Sequence, residues 1–193
     1  SYNFSNFEIV KGNGSYLYTA DNKKLLDFSA GVAVNSLGYN HAVVKKTIQE
    51  QLKTGITHLS GSQIHLYKNK LSQLLSKESN KGDVFFSNSG AESIEAALKI
   101  ARNFGSSKGR DEIIAMTSSF HGRTIGALSV GSNKAYKTDI GPVPGKVKFC
   151  KFNDSKNLKQ LINKKTLAII IEFIQGDGGI NICSRDFAKT IKD

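Results

Sequence analysis

The chain has 193 residues, 39% of them hydrophobic, enough for one buried core or for one core and part of another. No run approaches the roughly 20 apolar residues of a membrane-spanning helix, and Ser1-Tyr2-Asn3-Phe4 lacks a signal-peptide profile, so a cytoplasmic protein with no membrane partner is expected. The net charge of +11 invites a nucleic-acid reading, but the basic residues are 23 lysines and four arginines spread along the chain without interleaved aromatics, and a solvated lysine-rich surface is the better account.

In chain order, Tyr16-Leu17-Tyr18 and Leu25-Leu26-Asp27-Phe28, separated by Asp21-Asn22, predict short strands joined by a turn. Val43, Val44, Ile48 and Leu52 mark a helix, and Leu66, Leu71, Leu74 and Leu75 mark a second that Asn80-Lys81-Gly82 ends. Strands and helices then alternate. The pattern predicts a strand over Val84-Phe85-Phe86, a helix from Gly90 and strands from Ile113 to Met116 and from Val147 to Phe152. A helix near Leu158 to Ile162, a strand from Leu167 to Phe173 and a helix from Ser184 to Asp193 follow. The run Leu167-Ala168-Ile169-Ile170-Ile171 is uniformly apolar, as a strand covered on both faces must be, so the fold class is α/β with a mainly parallel sheet flanked by helices. Cys150 and Cys183 stand apart from each other and from any Cys or His cluster, which predicts ordinary buried thiols and no metal site.

Ligands of such sheets bind beyond the carboxyl ends of the strands, which directs attention to three loops. In the first, Ser89 is placed as an N-cap and Glu92 three residues later completes a capping-box pattern, while Gly90 leaves the backbone open to close approach. Ala91, Ile94, Leu98 and Ala101 continue at helical spacing. The free N–H groups and positive dipole end of the helix suit a phosphate, although a well-capped helix with no ligand would read the same way. The second loop, Ser118-Ser119-Phe120-His121-Gly122-Arg123-Thr124, offers Phe120 to stack on a planar ring and Arg123 to grip a carboxylate through two parallel hydrogen bonds. Read alone, the loop favours the plainer account, with Phe120 a core residue and Arg123 a surface charge. The third, Glu172-Phe173-Ile174-Gln175-Gly176-Asp177-Gly178-Gly179, carries two carboxylates that could position an arginine or tune a cationic cofactor, or could serve the turn itself.

Taken together these loops resemble the class III aminotransferases, pyridoxal-phosphate enzymes of fold type I, and within them the acetylornithine group. Gly12-Asn13-Gly14-Ser15-Tyr16-Leu17-Tyr18 and Asp27-Phe28-Ser29-Ala30-Gly31-Val32-Ala33-Val34-Asn35-Ser36-Leu37-Gly38-Tyr39 extend the resemblance to the N-terminal part. It implies that the chain is the N-terminal half of such an enzyme, with residues 1–40 part of the small domain and residues 41–193 an incomplete cofactor-binding large domain. It further implies that Ser89, Gly90 and Ala91 hold the phosphate of pyridoxal 5′-phosphate and that Phe120 lies against its ring. Arg123 would bind the substrate α-carboxylate. Glu172 and its loop would line the pocket, where a family glutamate helps switch a second arginine between substrates, and Val34-Asn35-Ser36 would border substrate entry. His121 is expected to be structural.

The implied reaction moves the terminal amino group of N-acetylornithine through the cofactor to 2-oxoglutarate, in arginine biosynthesis, with a homodimer as the complete enzyme. Ornithine, succinylornithine and 4-aminobutyrate are alternative donors. Two departures stand out: Phe173 where the family commonly has proline, and Asp177 where it has glutamate, one methylene longer. Neither the aspartate that pairs with the pyridine nitrogen nor the Schiff-base lysine lies within these residues, so the chain is expected to be a truncated fragment, inactive alone, with exposed apolar surface and poor solubility. A module of another class, binding phosphate or nucleic acid without catalysis, would share the helix start and the basic surface.

Overall fold

A computed structural model describes residues 6–79 and 82–193 of the chain. Ser1-Tyr2-Asn3-Phe4 and the Asn80-Lys81 part of the expected helix stop lie outside the described residues. The chain divides into two compact units, Ser1–Asp83 and Val84–Asp193.

The first unit opens with an antiparallel meander of β1 (Ile9–Asn13), β2 (Tyr16–Thr19) and β3 (Lys24–Leu26). Asp21-Asn22 forms the expected turn, with Asn22 in the left-handed region at φ 63°. Asp27 then organises the next segment. Its carboxylate accepts the Ser29 N–H at 2.8 Å and the Tyr39 hydroxyl at 2.7 Å, which together hold it below the usual carboxylate range, the tyrosine contributing most. Tyr39 pairs backbone to backbone with Gly14, and a Cβ on Gly12 would lie 2.5 Å from the Tyr39 ring, so Gly12 leaves room for that tyrosine. Between these anchors α1 (Ala30–Ala33) is a single turn in the left-handed conformation. Helices α2 (Ala42–Lys53) and α3 (Leu66–Glu78) follow at the expected positions, and neither buries a residue.

The second unit holds the parallel sheet. Its strands β4 (Glu112–Met116), β5 (Lys146–Cys150) and β6 (Thr166–Ile170) run in the order β5-β4-β6, all parallel. Side chains alternate across the central strand. Ile113 and Ala115 join Leu98 and Val130 on one face, under α4 (Gly90–Ser106) and α5 (Ile125–Val130). Ile114 and Met116 join Cys150, Leu158 and Phe187 on the other, under α6 (Ser155–Leu161) and α7 (Arg185–Lys192). Both faces of the sheet are therefore covered, and β4 is its most buried strand because it alone has a strand on each side.

Two expectations are corrected. Val84-Phe85-Phe86 joins none of the sheets, and Phe85 is 73% exposed. An apolar triplet becomes a strand only where a neighbour completes its hydrogen bonds, and no described strand does so. The strand expected from Leu167 to Phe173 ends at Ile170. The chain then turns into a small hairpin of β7 (Ile174–Gln175) and β8 (Asn181–Ile182), so the third loop is a β-turn excursion with Gly176 to Ile180 at its tip.

Cys150 is fully buried and its thiol is pushed up to about 11 by that burial; Cys183 is half-buried, with its thiol raised for the same reason. An Ellman titration of the native protein near pH 8 is expected to label Cys183 slowly and Cys150 only after denaturant is added, because the thiolate is the reacting species. Rapid labelling of both would contradict this packing.

Candidate active site

All six residues singled out in the three loops lie in the second unit. Ser89 has the extended backbone of an N-cap, and its hydroxyl oxygen accepts the Glu92 N–H at 3.2 Å. The Glu92 carboxylate reaches one residue further back than the capping-box pattern expects, accepting the Asn88 N–H at 2.7 Å. Neither bond uses the N–H groups of Gly90 and Ala91, which belong to the first turn that lacks intrahelical acceptors. The Ser89 hydroxyl, while accepting, keeps a proton to donate. This is the donor set a phosphate monoester needs, and a Cβ built on Gly90 meets nothing within 4 Å, so the space before the helix is open.

The second loop presses against that helix start. Gly122 has φ 123°, and a Cβ there would lie 2.7 Å from the Ala91 Cβ and 3.2 Å from the Ala127 Cβ. Only glycine lets the Phe120 to Arg123 segment approach α4 so closely. A second tie comes from Glu95, one turn along α4. Its carboxylate accepts the Thr124 hydroxyl at 2.6 Å, the Gly126 N–H at 2.9 Å and the Ala127 N–H at 3.2 Å, capping α5 where Thr124 makes no side-chain cap of its own.

The third loop closes on the second from the other side. Glu172 accepts the Phe120 backbone N–H at 3.0 Å, and burial pushes its carboxyl above the usual range. Gln175 is fully buried and donates to the Thr117 carbonyl at 2.7 Å, while a side chain on Gly178 would collide with the Ser118 carbonyl. Phe120 is 37% exposed at the loop surface. His121, expected to be structural, is 6% exposed, and burial lowers its imidazole below the ordinary range, which favours the neutral ring.

Three residues that tie these loops together escaped the sequence reading. Glu95 looks like one more charge on the polar side of a helix, Gln175 like a turn residue, and Tyr136 like an isolated aromatic in a lysine-rich stretch. Tyr136 sits in a 3-10 turn, Lys134–Lys137, with the Arg123 guanidinium carbon 4.1 Å from its ring centroid and Phe120 edge-on at 5.8 Å.

An open helix N-terminus, an exposed ring with an arginine beside it, and a half-buried carboxylate thus come from three loops of the second unit, the last two following strands β4 and β6 of the parallel sheet. The class III aminotransferase family matches the chain over residues 1–193. The chain belongs to that family. Among class III relatives, the acetylornithine aminotransferase of Clostridium acetobutylicum is 41% identical over 196 residues, covering all of this chain and 50% of that protein. The mitochondrial acetylornithine aminotransferase of Debaryomyces hansenii is 42% identical over 197 residues, covering 97% of this chain and 42% of its own length. The solved ornithine aminotransferase of Toxoplasma gondii superposes with a TM-score of 0.90 at 25% identity, over 99% of this chain and 46% of that one. The chain spans about half the length of the relatives it matches. The α/β fold expected from the strand and helix alternation is the fold of this family.

Proposed function

We propose that the protein carrying this chain is an acetylornithine aminotransferase, moving the terminal amino group of N-acetylornithine to 2-oxoglutarate in arginine biosynthesis. The observation that carries the reading is the close approach of Gly122 to Ala91, which sets the stacking ring and the arginine beside the phosphate cradle. The acetylornithine aminotransferases among its relatives support the choice of donor. When bound, pyridoxal 5′-phosphate supplies the electron sink that loosens bonds at the amine-bearing carbon.

The residues of this chain bind and orient. The Gly90 and Ala91 N–H groups and the Ser89 hydroxyl hold the phosphate, and the positive end of α4 favours its charge. Phe120 covers one face of the pyridine ring. Its peptide is fixed by Glu172, so a residue of the pocket lining also keeps the stacking ring in place. Arg123 takes the α-carboxylate of the amino-acid substrate, leaving the far amine to face the cofactor. With the α-nitrogen acetylated, N-acetylornithine presents one reactive amine, whereas ornithine presents two. We further place residues 1–40 in the small domain, the Schiff-base lysine and pyridine-nitrogen aspartate in the portion of the relatives this chain does not span, and the complete enzyme in the cytoplasm as a homodimer.

Expression of the whole reading frame and assay with N-acetylornithine, ornithine, succinylornithine and 4-aminobutyrate tests the proposal. N-acetylornithine is expected to give the highest kcat/KM with 2-oxoglutarate as acceptor; a preference for another donor would reassign the substrate, and no turnover of any would remove the reading. In the same enzyme Arg123→Lys is expected to raise KM for both substrates by about 10-fold or more, since a lysine cannot make the paired in-plane bonds of a guanidinium. An unchanged KM for both would remove Arg123 from the carboxylate site.

A further inference from the structure

Tyr136 touches three of the pieces just described and has no role in the reaction as proposed. Its ring carries the Arg123 guanidinium on one face, with the central carbon 4.1 Å from the centroid. Phe120 meets it in an edge-to-face arrangement at 5.8 Å and 82°. Its hydroxyl donates to the Asp177 carboxylate at 3.3 Å, across to the third loop. The turn that presents it is itself fixed, because Asn133 caps it by accepting the Ala135 N–H at 3.0 Å.

We propose that Tyr136 is a positioning residue that orients the carboxylate-binding Arg123 and the stacking Phe120, and that Asp177 anchors it. The physical basis is the shape of the guanidinium. Stacking on an aromatic ring engages the face of the cation, whereas a bidentate carboxylate is bound in its plane, so the two contacts are compatible and the first fixes the plane in which the second forms. An arginine with several rotatable bonds otherwise pays for that orientation at each binding event. Phe120 is steadied by the same ring, so the surfaces that receive cofactor and substrate carboxylate share one support. Asp177 takes part because its carboxylate accepts the tyrosine hydroxyl, which ties the 3-10 turn to the third loop.

The proposal rests on Arg123 binding the substrate carboxylate, and its test separates the two claims. Glutarate, a dicarboxylate without an amino or oxo group, is titrated by calorimetry into the complete enzyme and its variants, and KM and kcat for N-acetylornithine are measured in parallel. Tyr136→Leu is expected to weaken glutarate about 10-fold and to raise KM by a similar factor, while kcat falls less than threefold. Tyr136→Phe retains the ring and is expected to recover most of this loss, staying within about threefold of the parent. Asp177→Ala is expected to weaken glutarate about threefold, with no further loss when combined with Tyr136→Phe, since both remove the same hydrogen bond.

In an Arg123→Lys background Tyr136→Leu should add little, because the cation it orients is gone. Should Tyr136→Leu fail to fold, the Asp177→Ala and Tyr136→Phe pair still decides the question: effects that multiply overturn the proposal. Glutarate affinity unmoved by Tyr136→Leu but lowered by Arg123→Lys would overturn the tyrosine's role alone. Affinity unmoved by Arg123→Lys would overturn the arginine assignment and the proposal with it.

Discussion

Gly122→Ala is expected to reduce affinity for pyridoxal 5′-phosphate by about 30-fold or more and to lower stability by about 2–3 kcal/mol. Two costs coincide at this position. The backbone has φ 123°, where an L side chain is strained, and the new methyl would sit 2.7 Å from Ala91 Cβ and 3.0 Å from Ala91 Cα. Relief requires the second loop to withdraw from the helix start, which carries Phe120 and Arg123 away from the phosphate position. Gly90→Ala provides the discriminating companion. Its Cβ meets no protein atom within 4 Å, so stability should change by less than about 0.5 kcal/mol, yet cofactor affinity should fall because the methyl enters the space assigned to the phosphate. Thermal unfolding without cofactor and titration with pyridoxamine 5′-phosphate measure the two effects separately. Normal binding by Gly90→Ala would move the phosphate elsewhere.

The two glycines show where the sequence was legible and where it was not. Gly90 follows an N-cap and precedes an amphipathic helix, so its neighbourhood can be read from local order alone, as can the apolar runs that became β4 and β6. The close contact that gives Gly122 its importance spans 31 residues and exists only once the sheet has brought the loops together. Glu172 bonding the Phe120 peptide 52 residues away, and Tyr136 meeting both Arg123 and Asp177, are contacts of the same kind. Periodicity carries no information on them. Val84-Phe85-Phe86 erred in the opposite direction: its local pattern is right for a strand, but pairing is not a local property. Glu92 differs by a single residue from the expected cap partner, because a flexible carboxylate chooses between adjacent N–H groups according to loop conformation.

Glu95→Ala is expected to destabilise the protein by about 2 kcal/mol, a larger effect than any other single carboxylate in the second unit should give, because three donors lose one acceptor together. The loss is not confined to α5. Thr124 and Gly126 flank the start of that helix directly after Arg123, so Glu95 pins the Arg123 loop to the same helix whose first turn is proposed to hold the phosphate, and KM should rise with the fall in stability. Glycine at position 126 belongs to this device, since a side chain there would collide with the Glu95 carboxylate.

The pH dependence follows from the ionised state. The Thr124 hydroxyl bond most of all, then the Ala127 and Gly126 N–H groups and the Arg102 charge, lower the Glu95 pKa against the opposing effect of burial. A folded pKa below the unfolded one means that the unfolded chain takes up the proton first as pH falls. The stabilisation is therefore complete above the unfolded value, near 4.3 for a glutamate, and is lost progressively as pH falls through the lower folded value. Urea unfolding of the parent and of Glu95→Ala should accordingly differ by a constant amount from pH 8 to about pH 5, and the difference should shrink at more acid pH. Glu95→Gln keeps an acceptor oxygen without the charge, so it should retain part of the stability and lose this share of the acid dependence. A difference between parent and Glu95→Ala that stayed constant down to pH 3 would mean that the carboxylate is not held ionised by these donors.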